Sequence, residues 1–208
     1  ENKGKSVVLT ALNKKGEEIA FGGDALSELE TIDISNIDQR IHASTFVAAC
    51  DVDNPLCGPR GASFVYGPQK GANKNDVKTL DSNLEHFAQV IKNQLHTDIL
   101  NVPGAGAAGG LGAGVMVFLK GKLKKGIDIV AKTINLEELL KDADLVITGE
   151  GSMDFQTAFG KAPSGVAKLA KKQNIPVIAI AGSLGHNYQS LYKQGFDGIF
   201  SIINKPMK

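Results

Sequence analysis

Two segments of this sequence concentrate side chains able to handle anions and metal ions. The first is Cys50-Asp-Val-Asp-Asn-Pro-Leu-Cys-Gly-Pro-Arg-Gly-Ala-Ser, continuing into Phe64-Val-Tyr-Gly-Pro-Gln-Lys-Gly-Ala. It sets Asp51, Asp53, Arg60 and Lys70 on a loop stiffened by Pro55, Pro59 and Pro68. Arg60 can clamp a carboxylate or phosphate through two parallel N–H donors, and Lys70 can act as a point charge. The same composition also suits a loop that satisfies its own charges. The second segment is Gly149-Glu-Gly-Ser-Met-Asp-Phe-Gln-Thr, then Phe159-Gly-Lys-Ala-Pro. It follows an apolar run, so Glu150 and Asp154 are offered to a crevice at a strand end. Carboxylates so placed can hold Mg²⁺ through one or two contacts, with phosphate and water oxygens supplying the rest. The alternative is that they cap the next turn.

A third stretch, Gly104-Ala-Gly-Ala-Ala-Gly109, matches the dinucleotide fingerprint G-x-G-x-x-G, with Asp128 about 20 residues on. Pro103 interrupts the strand that should run into that turn, and Asp128 lies inside its apolar run instead of at its end. Two other readings stay open: a glycine face for close helix packing, or N–H groups of Gly104, Gly106 and Gly109 holding a phosphate or carboxylate. There is no Walker A motif, since Phe155 and Ala162 stand where its first glycine and its Ser/Thr belong. No serine sits in G-x-S-x-G. His42, His86, His96 and His186 are scattered, with His86 and His96 expected on a solvated helix face. Cys50 and Cys57 are expected to be reduced thiols, and without further cysteines or clustered histidines a zinc site is not expected.

The elements that must position these residues follow from periodicity and punctuation. Val7–Ile19 reads as a hairpin around Asn-Lys-Lys-Gly, and Phe21-Gly-Gly-Asp leads into a helical turn. Thr45–Cys50 reads as a buried strand. Val77, Leu80, Leu84, Phe87, Ala88, Ile91 and Leu95 step by three and four along a helix, with Asn75 or Asp76 as its N-cap. Ile99–Val102 reads as a short strand or extended segment, the glycine run as a turn opening a helix at Val115–Leu119, and Gly126–Ala131 as a strand. From residue 136 helix and strand alternate: helix 136–140, strand 143–149, helix 163–172, strand 176–182, helix 188–194, strand 198–203. That order predicts a parallel α/β sheet, whose ligands gather outside the carboxyl ends of the strands.

Composition narrows the function classes. Of 208 residues 42% are hydrophobic and 22% charged, the balance of a folded globular chain. Twenty-three basic against 22 acidic residues leave a net charge of +1, so no long-range field favours nucleic acid or an anionic membrane. No tryptophan is present and aromatics make up 6%, a poor base-stacking platform. No run approaches the ~20 apolar residues of a membrane span. The stretch Val7–Leu12 is too short for a signal-peptide core, so a cytoplasmic protein is expected. Because the first residue is Glu1 and not Met, the natural protein is expected to start earlier.

Taken together, four blocks resemble the type I glycerate kinases: Cys50-Asp-Val-Asp-Asn-Pro-Leu-Cys-Gly-Pro-Arg-Gly-Ala; Gly67-Pro-Gln-Lys-Gly-Ala; Pro103-Gly-Ala-Gly-Ala-Ala-Gly-Gly-Leu-Gly; and Ala143-Asp-Leu-Val-Ile-Thr-Gly-Glu-Gly-Ser-Met-Asp-Phe-Gln-Thr with Gly160-Lys-Ala-Pro. They stand in the family's order. The resemblance implies a two-domain α/β fold in which residues 1–142 form an inserted α/β domain and 143–208 part of a discontinuous Rossmann-like parallel-sheet domain. The family's Pro-Asp-Ser-Phe-Lys-Gly and Asp-Gly-Gly-Glu-Gly-like segments, and helical sequence following Lys208, lie outside these residues. It further implies a transferase that phosphorylates D-glycerate, a small organic acid, from ATP with Mg²⁺, without nucleic acid or membrane. On that basis Glu150 and Asp154 are metal or substrate residues. Arg60, Lys70, Gly104, Gly106, Gly109, Gly149, Gly151, Gln156 and Lys161 bind substrate or nucleotide. Asp51 and Asp53, with Asp154, are the catalytic candidates. Two other readings remain: a non-catalytic nucleotide or organic-acid binding module, and an NAD-binding oxidoreductase.

Overall fold

In the computed structural model, residues 9–155, 157 and 161–203 are described. Their strands are β1 (Thr10–Leu12), β2 (Thr31–Asp33), β3 (Val47–Ala49), β4 (Lys122–Lys124), β5 (Val146–Met153), β6 (Val177–Leu184) and β7 (Gly198–Ser201). The helices are α1 (Arg40–Ala43), α2 (Ala62–Tyr66), α3 (Lys74–Leu95), α4 (Leu111–Phe118), α5 (Gly126–Thr133), α6 (Leu136–Leu139) and α7 (Ala162–Lys172). Short 3-10 helices at Asp24–Glu28, Pro68–Lys70, Ala107–Gly110 and Tyr188–Gln194 join them. The fold is α/β, as expected.

The chain divides into two compact units, Glu1–Leu123 and Lys124–Lys208. The division falls earlier than residue 142, because α5 and α6 pack with the second unit. Gly165 of α7 makes room for α5: a Cβ there would lie 2.3 Å from Ile127 Cγ1.

The first unit is organised by α3. Its N-cap is Asn73, not Asn75 or Asp76: Asn73 Oδ1 accepts from the N–H groups of Asn75 and Asp76 (2.8 and 3.1 Å), and Asp76 Oδ2 accepts from Asn73 N (2.9 Å). This reciprocal capping box satisfies donors the helix cannot use itself. Val77, Leu84, Ala88 and Ile91 form the buried stripe, and the last three pack with Leu29, Ile32, Leu56, Ile99 and Ala113. His86 is not merely solvated, since its Nε2 lies 2.6 Å from the carbonyl of Leu29.

Several strand expectations need correction. β3 exists, but Val47 is exposed instead of buried. Residues 99–102 form a turn with Ile99 in the core, and no strand. Around Asn13–Gly16 the chain does turn back, through a bridge between Leu12 and Glu18, yet β1 takes its ladder from β2, antiparallel. Gly126–Thr133 is helix α5: Ile127 and Ala131, four apart, face inward while Val130 is exposed. A short apolar run cannot be assigned to helix or strand by periodicity alone.

The second unit holds the parallel sheet β5-β6-β7, with Gly149 opposite Ile180 and Ile180 opposite Phe200. One face carries Val146, Val177, Ala179, Ala181 and Ile199, buried in a core with Ala167 and Ala170 of α7. The other face carries Ile147, Ile180 and Phe200, all exposed. No described helix is long and apolar enough to cross a membrane.

Candidate functional site

In the second unit, the chemistry sits at the carboxyl end of β5. Glu150 points its side chain toward the buried hydroxyl of Thr157, which donates to Glu150 Oε1, while Lys161 Nζ lies 3.7 Å from Oε2. The carboxylate is 19% exposed and the Lys161 side chain 43%. At that distance and exposure the ion pair contributes little to stability, and its ammonium can turn toward an incoming anion. Asp154 follows the strand. Its N–H donates to Thr157 Oγ1 (3.3 Å), and Thr157 N donates back to Asp154 O (3.0 Å). Ser164 Oγ, also buried, ties the Thr157 carbonyl to the start of α7 (2.8 Å). Thr157, a residue whose type alone suggested no role, therefore ties Glu150 to the Asp154 backbone, and Lys161 joins the group through Glu150.

The neighbouring glycines separate by function. A Cβ on Gly149 would lie 2.1 Å from Ile180 O, so glycine there is required by the approach of β6. Gly185 likewise lets the Asp154 side chain lie against the chain leaving β6, where an added Cβ would sit 2.9 Å from Asp154 Cβ. Around Gly151 nothing lies within 4 Å of such a Cβ. Packing does not demand glycine at 151. Gln156 lies outside the described residues.

Among the described residues no group of three or more His, Cys, Asp or Glu side chains could enclose a metal. An Mg²⁺ ion held by one or two carboxylates and otherwise by phosphate and water oxygens needs no such group.

In the first unit the organising residue is Asn54. Its Nδ2 donates to Arg60 O (2.8 Å), its Oδ1 accepts from Tyr66 Oη (2.6 Å), and its own carbonyl accepts from Gly104 N and Gly106 N (3.1 and 3.0 Å). Gly109 N donates to Gly106 O (3.2 Å). The three N–H groups expected to serve a ligand are thus engaged within the protein. The glycines instead permit backbone contact, since a Cβ on Gly106 would lie 2.2 Å from Pro55 O and one on Gly112 2.1 Å from Gly104 O. Close packing is what this run does. The dinucleotide fingerprint fails on the same grounds: no strand feeds the turn, and Asp128 lies in α5.

Arg60 reaches Asp53 at 3.4 Å, with both side chains largely exposed, a weak pair open to competition by an anion. Asp51 is exposed on the same loop. Burial, aided by Cys50 and Asp53, raises the Tyr66 phenol above its usual range, so it stays a neutral donor to Asn54. Both cysteines are free. Cys57 is pushed up to about 12 by burial and by the carboxylates of Asp81 and Glu85, which makes it a poor nucleophile. Lys70 and Gly109 line one pocket, together with Gly22, Gly23, Leu26, Ala62, Ser63, Tyr66, Leu80 and Leu84.

A profile of the glycerate kinase family matches residues 5–208. The glycerate kinase of Halalkalibacterium halodurans is 50% identical over 203 residues, covering 98% of this chain and 53% of that protein. The glycerate 2-kinase of Escherichia coli is 50% identical over 207 residues, covering 97% and 54% respectively. A crystal structure of a provisionally named glycerate kinase 2 from Salmonella typhimurium LT2 superposes with a TM-score of 0.82 at 47% identity, covering 96% of this chain and 51% of that one. The chain spans about half the length of the curated relatives it matches.

Proposed function

Since the chain belongs to the glycerate kinase family, we propose that this protein transfers the terminal phosphoryl group of ATP to a hydroxyl of D-glycerate, with Mg²⁺ as the metal. The observation that carries the reading is the cluster at β5, where Thr157 bonds the Glu150 carboxylate and the Asp154 backbone, and Lys161 lies 3.7 Å from Glu150. Phosphoryl transfer is mostly positioning and charge neutralisation, so it needs carboxylates for a metal, cations for phosphate oxygens and a rigid frame, not a nucleophile. Glu150 and Asp154 would hold Mg²⁺, which when bound neutralises charge on the phosphates. Lys161, released from its long pair with Glu150, would meet a phosphate oxygen. The open space at Gly151 supports close approach of a ligand to the backbone there.

In the first unit, Arg60 and Lys70 supply cations for a phosphate or for the glycerate carboxylate, and Asp53 or Asp51 is the candidate base for the acceptor hydroxyl. The name of the Escherichia coli relative specifies the 2-position, so 2-phosphoglycerate is the expected product. The parallel sheet supports reading the second unit as part of a Rossmann-like domain and the first as an inserted one. A cytoplasmic location fits a reaction that consumes ATP and yields a phosphorylated small acid.

The test is a coupled ADP-release assay on the intact protein with ATP, Mg²⁺ and D-glycerate, with the product identified by NMR. ADP release that does not depend on glycerate, or does not depend on Mg²⁺, sinks the proposal.

A further inference from the structure

The sheet β5-β6-β7 has two faces with different surroundings. The connection from β5 to β6 runs through α7, and that from β6 to β7 through the 3-10 helix at Tyr188–Gln194. Both pack on one face, where Ala167, Ala170 and Leu191 join the sheet residues in the core. Along each strand the alternate positions point the other way: Ile147 and Gly149 on β5, Ile178 and Ile180 on β6, Gly198 and Phe200 on β7. Gly149, Ile180 and Phe200 stand side by side in the parallel register. Ile202 N still donates to Ala181 O (2.9 Å), which carries the alternation on to Ile202. Ile147, Phe200 and Ile202 are 63%, 58% and 72% exposed. A Cβ added at Gly198 would lie 3.0 Å from Phe200 Cε2 and 3.6 Å from Ile178 Cγ1, so the Phe200 ring lies back along its own strand beside Ile178.

Side-chain chemistry decides what such a face meets. A sheet face built for water carries polar residues at its outward positions. Here every outward position from Ile147 to Gly151, from Ile178 to Gly182 and from Gly198 to Ile202 is isoleucine, phenylalanine or glycine. Val177-Ile-Ala-Ile-Ala is therefore apolar on both sides, the pattern of a parallel strand covered on both. An apolar surface continuous across three strands is a contact surface. Handedness narrows what covers it. Crossovers between parallel strands are right-handed, and β5, β6 and β7 advance in one direction with their connections on one face. A crossover on the other face must step the opposite way, past β5, which pairs with β6 alone among the described residues. Such a crossover is usually a helix. A second copy would have to lay sheet on sheet, whereas parallel sheets are covered by their own crossover helices. The chain spans about half the length of its curated relatives, and the other half supplies polypeptide for such a cover.

We infer that this face is a docking surface for one or more amphipathic helices of the same polypeptide, from sequence outside residues 1–208, seated on Ile147, Ile180 and Phe200. The inference does not rest on the phosphotransferase reading, and its test needs no turnover. In the intact protein, Ile147→Cys and Phe200→Cys are treated with N-ethylmaleimide, and the labelled peptide is identified by mass. Phe200→p-benzoylphenylalanine is irradiated to cross-link what lies on the ring. Both cysteines are expected to react at least ~100-fold more slowly than in urea, and equally slowly after ~100-fold dilution, because a cover from the same chain opens by local unfolding and not by dissociation. The cross-linked product should have the mass of a single chain and join Phe200 to a peptide outside residues 1–208 whose apolar residues recur at helical spacing. A cysteine variant that melts far below the parent is replaced by Ile180→Cys on the same face. Rapid labelling in the native protein overturns the inference, since the face is then open. Protection lost on dilution, or a cross-linked dimer, overturns it in favour of a second copy. A cross-link within residues 1–208, or to a peptide without helical spacing, overturns it as well.

Discussion

The wholly buried hydroxyl of Thr157 donates to Oε1 of Glu150, seven residues earlier in the chain. Thr157 Oγ1 in turn accepts the N–H of Asp154, so one side chain sets the position of two acidic residues. A buried hydroxyl with two partners is costly to remove, about 1–3 kcal/mol for the groups left unsatisfied. Thr157→Val keeps the volume and is expected to lower unfolding free energy by that amount and to cut kcat of the intact protein, while Thr157→Ser restores most of both. Urea unfolding alongside steady-state kinetics checks this, and an unaltered kcat in Thr157→Val removes Thr157 from any positioning role.

Asp154→Asn is expected to harm turnover more than folding. Loss of a charge facing metal or substrate costs a few kcal/mol in the transition state, ~100-fold in rate, whereas Asn replaces Asp with little change in volume. A melting temperature that collapses together with activity would leave Asp154 structural.

Gly149 and Gly151 are two residues apart on β5 and should respond oppositely to alanine. At Gly149 the new methyl meets a backbone oxygen of β6, and forcing the strands apart should cost about 1–3 kcal/mol. At Gly151 the methyl enters open space, so stability should stay within about 0.5 kcal/mol. Thermal melting separates the two. Gly151→Ala that melts normally yet loses activity would mark 151 as a point of ligand approach, and equal destabilisation at both positions would contradict the packing described.

Cys57 should resist alkylation. Its thiol is held protonated up to about pH 12 by burial and by Asp81 and Glu85, against an ordinary value of 9.0. A raised folded pKa means a stabilising contribution that is complete below the unfolded value and fades as pH climbs through the window from 9.0 to about 12. Iodoacetamide at pH 8 is expected to modify Cys57 only after denaturant is added, and stability should fall less steeply above pH 9 in Cys57→Ala. Rapid labelling of Cys57 in the native protein would contradict its burial.

Much of this molecule was legible in one dimension, and the reasons differ by element. The stripe on α3 and the alternation after residue 136 are periodic patterns, and periodicity is local, so the helix and the parallel sheet could be read directly. The strand-end position of Asp154 followed from that alternation, but Glu150, expected just past a strand ending at Gly149, lies inside β5 opposite Ala181, because pairing with β6 carries the strand on to Met153. Gly126–Thr133 could not be read, because eight residues of mixed apolar character suit a helix and a strand equally until a surface such as Gly165 of α7 selects one. The glycine run at 104–110 was ambiguous for a related reason: a glycine that frees an N–H for a ligand and one that admits a neighbouring carbonyl have the same letter. Only the fold brought Asn54 and Pro55, some 50 residues away, against those N–H groups and Cα atoms. Thr157 and Asn54 escaped notice because their work is done through hydrogen bonds to partners whose proximity the sequence does not encode locally. Residue type and order determined which chemistry is available; long-range packing decided which donors remain for a ligand and where the pocket lies.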